Sequence, residues 1–388
     1  MSKRVLFVAT VVQKHICQFH IPYLKWFKEQ GYETHVCAKN DYDNKSDCRI
    51  PYCDKYYDVN FSRSPFDVAN LSAYRELKEI MEENNYDIIH CHTPVAAALT
   101  RLVAKKTRKK NGTIVLYTTH GFHFYKGSSP LSKVYYLAEK ALIKYTDGII
   151  TINSEDYEFA KKFCEGLKCE AFYIHGTGVD IEKIVNTTVD KNKLKNSFGI
   201  PENATVLLSV SEINQNKNLK TTLKAFSQIK ESNVYYLICG NGVLSDECKN
   251  LAKELNISDR VIFAGYRYDI YDVVHIADIF LFPSYREGLG VSAIEAMAAG
   301  VPVIASDIRG VREYAVNMQN SILLNPDDVA GFSKAISTLV NNTELREELG
   351  RNAMNTVEPF DLKNSINDII KIYSKYLGIE VKHKEVSS

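Results

Sequence analysis

The chain is 388 residues long, 45% apolar and 24% charged, a globular composition that excludes a disordered or collagen-like chain. Its 48 Lys+Arg and 47 Asp+Glu nearly cancel, so net charge gives no ground for nucleic-acid binding. No apolar run reaches the ~18 residues of a membrane span, and the start MSKRVLFVATVVQKH lacks a small-residue cleavage site after its apolar stretch, so it reads as a buried strand. In chain order, short apolar runs at 5–12, 34–38, 87–92, 114–119, 148–152 and 171–175 predict the strands of one sheet. Runs at 205–210, 235–239, 260–264, 279–283, 302–306 and 321–324 predict a second. They are rich in Val, Ile and Leu without strict alternation, as in parallel sheets covered on both faces. Helical patterns, among them 71–84, 131–145, 218–229 and 291–299, supply the crossovers.

The expected fold class is therefore α/β, with two Rossmann-like doubly wound domains. The polar, strand-free stretch 184–201 ends in Gly199-Ile200-Pro201 and reads as the boundary. The domains are then 1–183 and 184–360, with a last helix at 361–378 crossing back onto the first and a frayed tail after Gly378. The nine cysteines are scattered with no C-x2-C pair, which supports neither a disulfide framework nor a zinc ribbon and fits a cytoplasmic protein. Ligands of open α/β sheets bind beyond the carboxyl ends of the strands. Two such domains would face each other across a cleft.

The most informative segment runs from Phe282 to Ser306, FPSYREGLGVSAIEAMAAGVPVIAS. A strand ends at Pro283, a turn holds Glu287, Gly288, Leu289 and Gly290, and a helix follows from Val291. Free backbone N–H groups at that helix start suit a diphosphate. Glu295 is a lone carboxylate on an otherwise apolar helix, and sugar or ribose hydroxyls are suitable partners for it. The alternative is a solvated Glu287 and a Glu295 that caps a neighbouring backbone group.

With its E-x7-E spacing from Glu287 to Glu295, this segment resembles the retaining nucleotide-sugar glycosyltransferases of family 4, of GT-B fold. The resemblance extends through HIPYLKWFKEQGYETHV (20–36), YDIIHCHTP (86–94), TTHGFHFYKG (118–127), Gly176–Asp180, LSVSEINQNKN (208–218) and LICGNG (237–242). It implies that Glu295 binds the ribose of the donor nucleotide, that Glu287 binds the donor sugar, and that the Gly288–Gly290 turn holds the diphosphate. Lys217 matches the family's phosphate lysine; the alternative for it is an exposed lysine in a polar loop. His120 would touch the donor sugar near the reacting carbon, so the expected catalytic residues are His120, Lys217 and Glu287. The first domain would serve the acceptor and the second the nucleotide sugar.

The sequence departs from the family pattern twice. The usual Gly-Arg before the lysine is Ser211-Glu212 here, a feature similar to a capsule-type subgroup, and Arg286 is a nearby replacement cation. The first loop, ATVVQKH (9–15), lacks paired glycines and places Lys14 and His15 there, which with His123 are acceptor-side candidates.

No cofactor is implied. A metal reading of His90, Cys91, His92, His120 and His123 is set aside, because strand ends gather polar ligand contacts in this fold anyway; Asp41-Tyr42-Asp43 reads as a solvated turn. The run RLVAKKTRKK (101–110) holds six cations and no acid. It is either a solvated helix end or a contact with an anionic membrane surface. The expected function is transfer of a sugar from a nucleotide donor, UDP-linked by resemblance, to a saccharide on a polyprenyl diphosphate, in the cytoplasm or at the inner face of the membrane. A non-hydrolysing nucleotide-sugar epimerase and a non-catalytic partner of another transferase are the alternatives.

Overall fold

The computed structural model describes residues 3–125 and 132–380. The start of the expected 131–145 helix, Lys126 and Gly127 of the 118–127 motif, and the tail beyond Glu380 lie outside them. The chain divides into two compact units, residues 1–177 with 365–388, and 178–364.

The first unit holds a seven-stranded sheet of β1 (Arg4–Val11), β2 (Glu33–Lys39), β3 (Lys55–Asp58), β4 (Ile88–His92), β5 (Ile114–Thr118), β6 (Gly148–Thr151) and β7 (Glu170–Tyr173). All pairs are parallel and the order is β3-β2-β1-β4-β5-β6-β7. The second unit holds six parallel strands, β8 (Thr205–Val210), β9 (Val234–Cys239), β10 (Val261–Gly265), β11 (Ile279–Phe282), β12 (Val303–Ser306) and β13 (Ser321–Leu324), in the order β10-β9-β8-β11-β12-β13. Both are doubly wound orders that reverse direction between neighbouring strands, β1/β4 and β8/β11. The central strands are buried apart from the half-buried ends of β1 and β8, with Leu6, Phe7, Val8 and Ile89 buried in one unit and Leu207, Tyr236 and Ile304 in the other, which is why their sequences lack alternation.

The expected strands all form. The one missed is β3, KYYD, an edge strand with exposed ends and half-buried centre. Its polarity suits a sheet edge and leaves no apolar run to read. The terminal helix Leu362–Leu377 lies, from Ser365 onward, in the first unit. Tyr373 Oη is 2.6 Å from His90 Nδ1, and Tyr376 Oη donates to the Asp147 carbonyl at 2.7 Å. Gly148 makes room for this contact: a Cβ there would sit 2.8 Å from Tyr376 Oη.

Two expectations are corrected. The basic run is not a uniform charged face. It lies on the helix Pro94–Asn111, where Arg101 is fully buried, its Nη1 2.8 Å from Glu139 Oε2 and its guanidinium 4.2 Å from the Tyr117 ring centre. Arg108 is paired with Asp147. Positions seven apart share a helix face, and this one turns inward. Lys105, Lys106, Lys109 and Lys110 remain exposed. Nor is Asp41 merely solvated: its carboxylate accepts from the backbone N–H groups of Gln13 at 2.6 Å and Lys14 at 3.3 Å.

Candidate functional site

In the second unit the loops after β8 and β11 meet at the point where strand order reverses. Asn214 accepts from the Lys217 N–H through its side chain, closing a one-turn helix, Gln215–Lys217. Asn218 then adopts a left-handed conformation, φ 51°, which asparagine tolerates better than most residues. Its amide donates to the carbonyls of Pro283 at 3.1 Å and Pro326 at 2.8 Å. Asn216 donates to the Arg286 carbonyl at 2.8 Å, while its own carbonyl accepts from the Tyr285 N–H at 2.8 Å. The two loops are thereby laced together, and Lys217 Nζ lies 2.6 Å from Glu287 Oε1.

The helix Val291–Ala298 starts from Gly290 at φ 95°. A side chain there would meet Phe282 and the Tyr314 hydroxyl at 2.8 Å, so the turn requires glycine. Leu289 is buried and anchors the turn. Gly310 packs against the backbone of Glu287 and Gly288, within 2.8 Å of an added Cβ. Glu295 projects from the second turn of this helix and is half-buried. Burial pushes its carboxyl up to about 7, and its charge bears on Tyr271, as does that of Asp180. Glu212, where the resemblance leads one to expect an arginine, is exposed. The arrangement offers one cation, one carboxylate beside it, a helix N-terminus and a second, half-buried carboxylate. That set can hold a phosphate group and two pairs of hydroxyls.

In the first unit β1 and β4 flank the corresponding switch point. Thr10 and Thr93 are joined through their hydroxyls at 2.7 Å, and Thr93 is held at φ 64°, ψ 141°, a region costly for a residue with a Cβ. After β1 the chain takes a π-helical turn, Val12–Ile16, a rare form found often at functional sites. It buries His15 and exposes Lys14, so the two expected neighbours part. His15, His20, His92 and His120 converge, with one nitrogen from each within 4.8 Å of the others. Burial lowers all four, His120 to about 4 and the other three well below their usual value, so the rings are neutral near pH 7. His90 is held by Tyr373 and by Thr118 Oγ1 at 2.8 Å. His123 points elsewhere, its ring 5.2 Å from Tyr135.

Lys217, Glu287 and the Gly288–Gly290 turn are thus gathered in one unit, and His120 and His15 in the other. Sequence reasoning missed Asn216 and Asn218, which fix the loops, and His20, which joins the histidines. An asparagine at a strand-to-helix junction was the available signal for Asn218.

The family described as Glycosyl transferases group 1 matches residues 190–356, and that described as Glycosyl transferase 4-like matches residues 4–153. The putative glycosyltransferase EpsD of Bacillus subtilis is 38% identical over 392 residues, covering 100% of each chain. An Escherichia coli UDP-Gal:alpha-D-GlcNAc-diphosphoundecaprenol alpha-1,3-galactosyltransferase is 27% identical over 316 residues, 79% of this chain and 80% of its own. The structure of Anabaena Alr3699/HepE in complex with UDP superposes with a TM-score of 0.76 at 20% identity, covering 96% of this chain and 100% of that one. That likeness shows the fold, the two-unit GT-B architecture.

Proposed function

The chain belongs to the group 1 glycosyltransferases, and from that premise we propose that it moves a sugar from a UDP-linked donor, with retention of configuration, to a saccharide on a polyprenyl diphosphate during surface-polysaccharide synthesis. The observation that carries this reading is the Lys217–Glu287 pair at 2.6 Å beside the N-terminus of helix Val291–Ala298. A relative named for a diphosphoundecaprenol-linked substrate supports the acceptor class.

In this reading the diphosphate lies on the Gly288–Gly290 amides with Lys217 against it, and Glu295 accepts the ribose hydroxyls. As the bond from the anomeric carbon to the phosphate oxygen breaks, the acceptor oxygen bonds to that carbon on the same face. Its proton passes to the leaving phosphate. Lys217 offsets the negative charge that develops there, and Glu287 orients the sugar hydroxyls. Incubation with UDP-sugars and a lipid-linked saccharide tests this. Glycosylated lipid supports it, and epimerised donor without acceptor refutes it.

The raised Glu295 carboxyl gives a pH signature. Accepting two hydroxyl donors favours the ionised form, so UDP affinity should rise with pH through about 7. At pH 6 roughly one tenth of the carboxyls are ionised, and binding there should be about tenfold weaker than at pH 8. Titration calorimetry on Glu295→Gln should show weaker binding and a flatter profile, since UDP's own protonation is common to both proteins. An unchanged slope in the variant would remove Glu295 from the ribose.

Membrane contact through the helix Pro94–Asn111 now rests on four lysines. At about 1 kcal/mol per cation near the surface, they supply at most about 4 kcal/mol. Replacing Lys105, Lys106, Lys109 and Lys110 by Glu should abolish sedimentation with phosphatidylglycerol vesicles, as should high salt. Binding that survives both excludes this face.

A further inference from the structure

The first unit carries a cluster of histidine nitrogens without hydrogen-bond partners, and it takes in His120 and His15, named above as catalytic and acceptor-side candidates. His20 and His92 are buried to 2% and 1% exposure, and His15 to 8%. Both ring nitrogens of His20, both of His92, and Nε2 of His15 and of His120 are shut from solvent and make no hydrogen bond. Leaving a single buried polar group unsatisfied costs on the order of 1–3 kcal/mol, yet here four side chains turn unpaired nitrogens toward one point. The contrast with two nearby histidines is informative. His90 bonds Tyr373 and Thr118, and His35 bonds Tyr86 at 2.8 Å and Glu33 at 3.0 Å, so ordinary partners are supplied elsewhere in this same unit.

We propose that His15, His20, His92 and His120 form a binding site for one divalent transition-metal ion, Zn2+ in the first place, ligated by one imidazole nitrogen from each.

The donor set decides the class of ion. Four imidazoles with no carboxylate or carbonyl suit Zn2+ and its neighbours and not Mg2+ or Ca2+. A tetrahedral Zn2+ with bonds of about 2.0–2.1 Å sets its nitrogens about 3.4 Å apart. The present 4.8 Å spread therefore closes with a shift of about 1 Å or less per ring. Burial keeps the imidazoles neutral, the form that binds metal. The setting is dry: the Phe7 ring stacks on His92 at 6.2 Å, and the Phe19 ring lies 5.6 Å from His15. His120 is the one partly exposed member of the four. Three separate stretches contribute: the π-turn after β1 with the turn residue that precedes the helix Ile21–Glu29, the end of β4, and the loop after β5. A bound ion would tie these strand-end loops together. The proposal does not rest on the transfer chemistry, because it concerns ion binding alone.

The test is equilibrium dialysis of the purified full chain against Zn2+, followed by metal analysis, with Co2+ as a spectroscopic probe. One equivalent of Zn2+ per chain is expected, with the intense visible bands of tetrahedral Co2+. His20→Asn and His92→Asn, each checked for folding by circular dichroism, should bind at least tenfold more weakly. Absence of a bound equivalent in the unmodified protein overturns the proposal. So does a pale octahedral Co2+ spectrum, or full binding retained by the folded variants. The Co2+ spectrum of the unmodified protein decides the matter even if both variants fail to fold.

Discussion

Lys217→Ala is expected to lower kcat by about 10²–10³, the size of losing one preorganised charge at a developing anion. Three features argue for so large an effect. Lys217 is placed and not floppy: the Asn214 side chain caps its N–H at 3.1 Å, and the left-handed Asn218 turns the chain immediately after it. Its ammonium already lies 2.6 Å from Glu287 Oε1, so the substitution also deprives that carboxylate of its counter-charge. And where the family resemblance leads one to expect an arginine the chain has Ser211-Glu212, with Glu212 exposed, so in the proposed site the phosphate charge would fall more heavily on this lysine. The kinetic split separates the roles. A cation that acts on the leaving phosphate lowers kcat and kcat/KM together, while one that only holds the donor raises KM with kcat preserved. Lys217→Arg should recover part of kcat, since the charge remains and its geometry changes. A variant with unaltered kcat and a raised KM would reduce Lys217 to a binding residue.

What was legible in the sequence follows from what each signal depends on. Buried parallel strands announce themselves because both faces must be apolar, and the runs around Leu6, Leu207 and Ile304 do so. KYYD at 55–58 cannot, because an edge strand with exposed ends needs no apolar face. The spacing from Glu287 to Glu295 lies within one strand–turn–helix unit and is visible locally. The pairing of Lys217 with Glu287 spans 70 residues, and the resemblance gave each a separate role without joining them. The histidines divide the same way. Strand alternation correctly puts His90 and His92 on one face, their rings 4.1 Å apart, but cannot say that Tyr373, 283 residues on, occupies one of them. Nor does any residue pattern mark the π-turn that swings His15 inward beside His120, 4.7 Å between ring centres. Charge was the most misleading signal. Six cations in sequence look like one surface, but a helix distributes them around its axis.

That error exposes the strongest stability prediction. Arg101 is fully buried, with Nη1 2.8 Å from Glu139 Oε2, Nε donating to the Ala97 carbonyl at 3.1 Å, and its plane over Tyr117, whose hydroxyl donates to Glu139 Oε1 at 3.3 Å. Arg101→Met removes the cation and leaves the Glu139 carboxylate in the interior with a single neutral donor. Breaking a buried pair in this way costs about 3–5 kcal/mol, a large share of the 5–15 kcal/mol typical of a domain. The cost comes from the stranded charge more than from the lost attraction, so the double variant Arg101→Met/Glu139→Leu should recover most of it. Arg101→Lys should fall between, because an ammonium keeps the charge but neither stacks on Tyr117 nor reaches Ala97 and Glu139 together. Urea unfolding should be followed with a probe in the first unit, since a two-unit chain need not unfold in one step. A single variant within about 1 kcal/mol of the parent would mean that water reaches Glu139 when the guanidinium leaves. A double variant no better than the single one would place the loss in packing around Tyr117 instead.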